Sequence, residues 1–95
     1  MALEDIYNLE ELTNESERLV FRELERQLEE ADEGVCRSRE CVLDMAAYAL
    51  NHVKPMYRAN LMGRIYARAQ QEERSEEIRR AVAEAIARIS ENPPE

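Results

Sequence analysis

The stretch from Val42 to Val53 would be apolar around most of its circumference if wound as a helix, and it runs straight into a proline at position 55. Val42, Leu43, Met45, Ala46, Tyr48, Ala49 and Leu50 leave little polar face, so this helix is expected to be packed on several sides or to lie at a subunit interface. Ser38 is a good N-cap type and marks its start. Pro55 has no amide hydrogen to donate and restricts the residue before it, so the helix stops at about Val53 with Asn51 and His52 in its last turn.

Two amphipathic segments flank this central element. In the first, Asn14 and Glu17 have the spacing of an N-cap and its reciprocal partner, and Val20, Leu24 and Leu28 follow at intervals of four, with Leu19 and Phe21 widening the stripe. That helix ends between Ala31 and Gly34. The other begins near Tyr66 or Gln70, carries Ile78, Val82, Ala85, Ile86 and Ile89 on one face, and is closed by Asn92-Pro93-Pro94. With two Gly, no Trp and few β-branched runs, the expected fold is all-α: one compact domain of three to four helices over residues 1–95. Residues 1–13 are read as an extended N-terminal arm whose Ile6, Leu9 and Leu12 dock on a dimer. A chain this short buries only about two-thirds of its unfolded surface, so a homodimer is the expected assembly.

Charge is distributed unevenly. The net charge is −8, yet no Asp or Glu occurs between Met45 and Gln71, where Lys54, Arg58, Arg64 and Arg68 lie. A concentrated basic patch on an acidic body suits a small anion, whereas a nucleic-acid polymer or an anionic membrane requires a broad basic surface. No stretch approaches the length of a membrane span, and the acidic start lacks the basic flank and apolar core of a signal peptide, so a cytoplasmic location is expected. In such a reducing compartment Cys36 and Cys41 are expected to be free thiols, Cys41 buried beside the central helix and Cys36 in a loop.

The run Cys41-x-x-Asp44-Met-x-Ala-Tyr-Ala-Leu-Asn51, followed by Pro55-x-Tyr57 and Gly63-x-x-Tyr66, resembles the core signature of the late-competence ComFB family of small bacterial proteins. The helix ending in Asn92-Pro93 occupies the place of that family's closing helix, so the resemblance covers residues 36–93. It implies an all-helical homodimer without enzymatic activity that acts as a receptor for a cyclic dinucleotide second messenger, cyclic di-GMP or cyclic di-AMP, and signals through a downstream protein partner. The family often carries Cys-x-Cys-x-x-Cys, for which zinc is the natural suggestion. Here those positions read Cys36-x-Ser38-x-x-Cys41, so the middle thiol is missing and no cofactor is expected; the metal candidates are Cys36 and Cys41, which would need His52 and Asp44 brought to them by the fold or the two thiols of a second subunit.

The residues in the basic window have chemistry suited to such a ligand. Arg58 and Arg64 can pair phosphates through a planar fork, Tyr57 or Tyr66 can stack on a purine, and Lys54 and Arg68 add supporting charge. Asn51 can read a base edge or cap its helix, and Pro55 stiffens the turn. Tyr48, inside an Ala-rich helix, is expected to pack, and His52 to interact with the helix C-terminus. Enzyme signatures are absent: there is no phosphate-binding glycine loop and no His-Glu-x-x-His, and Cys41 and His52 would stand about 16 Å apart along one helix. A helical dimeric adaptor without a small ligand, and a zinc-stabilised structural module, are the alternatives.

Overall fold

The computed structural model describes residues 2–59 and 71–94, with side chains from 74 onward in the second stretch. Among the described residues three helices form the body: α1 (Glu15–Glu30), α2 (Arg39–Leu50) and α3 (Gln71–Glu91). Two short 3-10 turns, Leu3–Asp5 and Leu9–Glu11, precede them.

Side chains set the helix starts that were expected. The Asn14 carboxamide oxygen accepts from the Ser16 amide at 3.1 Å, and the Ser38 hydroxyl accepts from the Cys41 amide at 3.1 Å. Each satisfies one of the donors that a helix N-terminus leaves without an intrahelical partner. Helix α2 ends at Leu50, three residues earlier than expected. Asn51 is its C-cap, with its amide bonded to the Ala47 and Tyr48 carbonyls, and the chain then turns into the extended approach to Pro55.

Helix α2 packs on both α1 and α3, most extensively on α3. Its inward seam is Cys41, Met45 and Ala49, spaced by four so that all three fall on one face. They meet Leu19, Val20 and Leu24 of α1 and Ile78, Ala81, Val82 and Ala85 of α3, with Val53 and Met56 closing the end of the core. Leu28, Val42, Tyr48, Leu50, Ile86 and Ile89 are partly buried against this cluster. Two expectations are corrected. Phe21 does not widen the buried stripe of α1 but remains 47% exposed, on a side of the helix that the core cluster does not reach. Leu43 is also exposed, so α2 is covered on the sides facing its two neighbours and open on the third.

The fold also contains a small sheet that the all-α expectation omitted. β1 (Thr13–Asn14) pairs antiparallel with β2 (Tyr57–Arg58), in the register Thr13↔Arg58 and Asn14↔Tyr57. Strands of two residues have no alternation from which to be read, and the pairing is non-local. Among the described residues of the N-terminal arm none is buried: Leu3, Ile6, Tyr7, Leu9 and Leu12 are all exposed.

Because Met45 is fully buried where all three helices meet, Met45→Ala should lower stability by about 2–5 kcal/mol. Urea unfolding followed by far-ultraviolet circular dichroism measures this as a lowered midpoint.

Candidate functional site

The segment 51–58 leaves the end of α2 and passes over the start of α1. Its backbone is fixed through side chains of two helices and the residue that caps one of them. The Lys54 amide donates to Glu77 Oε1 at 2.8 Å, and the Lys54 carbonyl accepts from the Ser16 hydroxyl at 2.7 Å and from Arg74 Nη2 at 2.6 Å. Two residues on, the Met56 amide donates to Asn14 Oδ1 at 2.8 Å, while the Met56 carbonyl accepts from the Glu15 amide at 2.8 Å. Beyond these, the two-residue ladder and the Thr13 hydroxyl, which donates to the Arg58 carbonyl at 3.3 Å, hold the segment's end.

This pinning positions side chains as well as backbone. Val53 and Met56 turn inward and are buried, whereas Asn51, His52, Lys54, Pro55 and Tyr57 are exposed and Arg58 is half-buried. Tyr57 is 54% exposed on β2, and Arg58, its neighbour along the strand, projects to the opposite side. The Arg58 guanidinium donates through Nη1 to the Tyr57 carbonyl at 2.7 Å. Of the sequence-predicted ligand residues, the structure thus brings Asn51, Lys54, Pro55, Tyr57 and Arg58 onto one short run. Arg64, Tyr66 and Arg68 lie outside the described residues.

Three contributors were not selected from the sequence. Ser16 is fully buried, and its hydroxyl serves the Lys54 carbonyl. Arg74 follows the acid-free window in sequence, yet its guanidinium, 14% exposed, reaches that same carbonyl and pairs with Glu77 at 3.4 Å. Glu77 in turn carries an acidic group to the segment that the sequence reads as purely basic. Arg74 and Glu77 are three residues apart on α3, a spacing compatible with an ordinary exposed helix pair, so nothing in the linear pattern marked them.

Tyr48 packs as expected. It is half-buried and stacks on His52 with ring centroids 4.1 Å apart and an interplanar angle of 16°, with the Glu84 carboxylate of α3 near its hydroxyl. That carboxylate, followed by desolvation, pushes the tyrosine pKa up. His52 pairs through Nδ1 with the Tyr48 carbonyl at 2.7 Å, at the C-terminal end of α2. On α3, the Glu76 carboxyl is lowered to about 2 by its hydrogen bonds to Arg79 and Arg80, which places these charges in a network on the helix surface.

The cysteine expectation is overturned. Cys36 and Cys41 are joined in a disulfide with Cα atoms 6.0 Å apart, and neither is a free thiol. The donor set therefore does not fit zinc: the two sulfurs are spent on each other, and Ser38 stands between them where a third thiol would be needed. Among the described residues, no group of three His, Cys, Asp or Glu could hold a metal ion, and no helix is long and apolar enough to cross a membrane.

Fold and site together define a small, mostly helical domain with a two-residue ladder and a largely exposed cationic and aromatic segment following α2. The family model described as late competence development protein ComFB matches residues 13–93, and the chain belongs to the ComFB family. The match takes in β1 and α1 as well as the stretch that carries the signature. A solved structure, described as a structural characterization of the late competence protein ComFB from Bacillus subtilis, is 26% identical in sequence to this chain. It superposes with a TM-score of 0.74, covering 88% of this chain and 93% of that one. No curated protein matches the chain.

Removing the buried hydroxyl should loosen the pinned segment. Ser16→Ala is expected to cost about 1–2 kcal/mol, because a buried hydrogen bond is lost and the Lys54 carbonyl keeps only Arg74. The measurement is the shift in urea midpoint at unchanged slope.

Proposed function

We propose that this protein is a non-enzymatic cytoplasmic receptor that binds a cyclic dinucleotide, cyclic di-GMP or cyclic di-AMP, through residues 51–58 and the basic residues that follow them in sequence. The observation that carries the reading is a segment whose backbone polar groups are engaged by the protein while its cationic and aromatic side chains remain available. Lys54 and Tyr57 are exposed, and among the described residues the Arg58 guanidinium is held by the neighbouring Tyr57 carbonyl, from which a phosphate would draw it. A pinned backbone lowers the ordering cost of binding. A cyclic dinucleotide brings two singly charged phosphates and two purine faces. Arg58 meets a phosphate, Tyr57 stacks on a base, Lys54 adds charge, and Asn51 and Pro55 shape the edge of the site. Arg64, Tyr66 and Arg68 complete the donor set by sequence.

The bound state has a route to the surface. Arg58 pairs with Thr13 in the ladder, and Thr13 is the residue at which the exposed arm begins. A ligand that draws the Arg58 side chain away from the Tyr57 carbonyl changes the strand on which the arm hangs, and so changes what a downstream protein meets. Calorimetric titration with cyclic di-GMP and cyclic di-AMP, with a linear dinucleotide and GTP as controls, tests the reading. Saturable binding of a cyclic form alone is expected. Arg58→Ala should weaken it about tenfold or more at unchanged helix content, as loss of a charge-assisted hydrogen bond requires. Silence for both cyclic forms, or an Arg58→Ala variant that binds as tightly as the parent, overturns it.

A second reading, a dimeric adaptor without a small ligand, is favoured by the apolar side chains left uncovered on the arm, together with a groove of about 590 Å³ lined in part by Leu12 and Phe21. Pairing of two copies would cover these surfaces. Light scattering of the purified protein should then give a mass near twice 11.1 kDa, and Phe21→Glu should shift it towards the single-chain value. An adaptor would show no nucleotide-dependent thermal shift.

A further inference from the structure

The loop between α1 and α2 is tied in two ways at one place. Arg37 is followed by the Ser38 cap of α2 and preceded by Cys36, and its guanidinium donates to four carbonyls. Nη2 reaches the Leu28 and Ala31 oxygens at 2.7 and 3.0 Å, and Nη1 reaches those of Asp32 and Val35 at 3.0 and 3.1 Å. Helix α1 has no basic residue in its own last turn, so this one side chain supplies the positive charge that its terminal carbonyls attract. The disulfide to Cys41 fixes the residue next to that arginine. Ser38 links the same two cysteines a second time: its hydroxyl accepts from the Cys41 amide and donates to Cys36 Sγ at 3.4 Å.

We propose that the Cys36–Cys41 pair is a reversible redox clasp that sets the order of the α1–α2 loop and of the last turn of α1 through Arg37. The chain contains two cysteines, five residues apart, and the loop they close is already short. In a reducing compartment such a bond is transient, as a sensor requires.

The chemistry is thiol–disulfide exchange with a small-molecule disulfide such as oxidised glutathione. Cys36, the half-buried and more accessible partner, attacks as thiolate after giving its proton to solvent. It forms a mixed disulfide and releases one glutathione thiolate, which takes up a proton. Cys41, in the first turn of α2, gives its proton to solvent and attacks Cys36 Sγ as the thiolate, expelling the second glutathione as a thiolate that takes up a proton. The protein loses two hydrogens and two electrons, one S–S bond forms in it, and the bond in oxidised glutathione breaks. Reduction reverses each step. It frees Cys36 from α2, lets Arg37 move, and leaves the carbonyls at the end of α1 to solvent.

The test is hydrogen exchange read by mass spectrometry on the full chain, equilibrated either with excess oxidised glutathione or with dithiothreitol. Oxidation should lower the mass by that of two hydrogens and slow exchange in residues 28–37 by about tenfold, with residues 78–89 of α3 unchanged. Arg37→Ala should still form the disulfide but lose the protection at the end of α1. Cys36→Ser should exchange like the reduced parent under both conditions. The proposal is overturned if the pair stays reduced in excess oxidised glutathione, or if exchange in 28–37 is the same in both states. It is also overturned if zinc added to the reduced protein gives the same protection as oxidation, which would make the pair a metal clasp. None of these readouts uses a nucleotide, so the outcome is independent of the ligand reading.

Discussion

One carboxamide oxygen joins the two parts of the chain on which the candidate site depends. Asn14 Oδ1 accepts the amide of Ser16, which starts α1, and the amide of Met56, forty-two residues away. The cap therefore serves two elements. It satisfies a donor that the helix would otherwise leave to solvent, and it docks the segment between α2 and β2 against the same helix end. The Ser16 hydroxyl and the Glu15 amide add their own bonds to the segment leading into β2, so the first turn of α1 is the anchor for residues 54–56. Buried polar groups of this kind specify a position more sharply than apolar contacts do, because a shift of an ångström leaves them unpaired.

The electrostatics of the site are more mixed than its local composition. By side chain the segment is basic, but Glu77 reaches its backbone from α3 with Arg74 beside it. The acid is spent on an amide and on a neighbouring guanidinium, while Lys54 remains exposed and the half-buried Arg58 is bonded to the Tyr57 carbonyl. Separating backbone anchoring from side-chain display in this way allows a short irregular segment to be rigid and still present a surface.

Much of the scaffold was legible in the chain itself. The caps at Asn14 and Ser38, the seams of α1 and α3, and the stop before Pro55 follow from local rules about donors, spacing and the missing proline amide, and the structure places each of them close to where those rules put it. Phe21 shows where the pattern fails, since a residue at the edge of an apolar stripe is buried only if a neighbouring helix reaches it. Val20 meets such a neighbour and Phe21 does not. For the site, the acid-free window pointed to Lys54, Tyr57 and Arg58, and the signature around Asn51 and Pro55 pointed to the same place. Ser16, Arg74 and Glu77 were invisible because each sits on another helix at a spacing that any exposed helix shows.

By itself, then, the sequence determined the helices, their inward faces and the location of the concentrated basic charge, since these are set by neighbours within a few residues. Only the tertiary structure decided that β1 meets β2, that Arg74 and Glu77 close on Lys54, and that the two cysteines join across the Ser38 cap. Those outcomes depend on the distance between groups far apart along the chain or turned toward each other by a loop, and that distance is fixed only when α2 settles its Cys41, Met45 and Ala49 face against the other two helices.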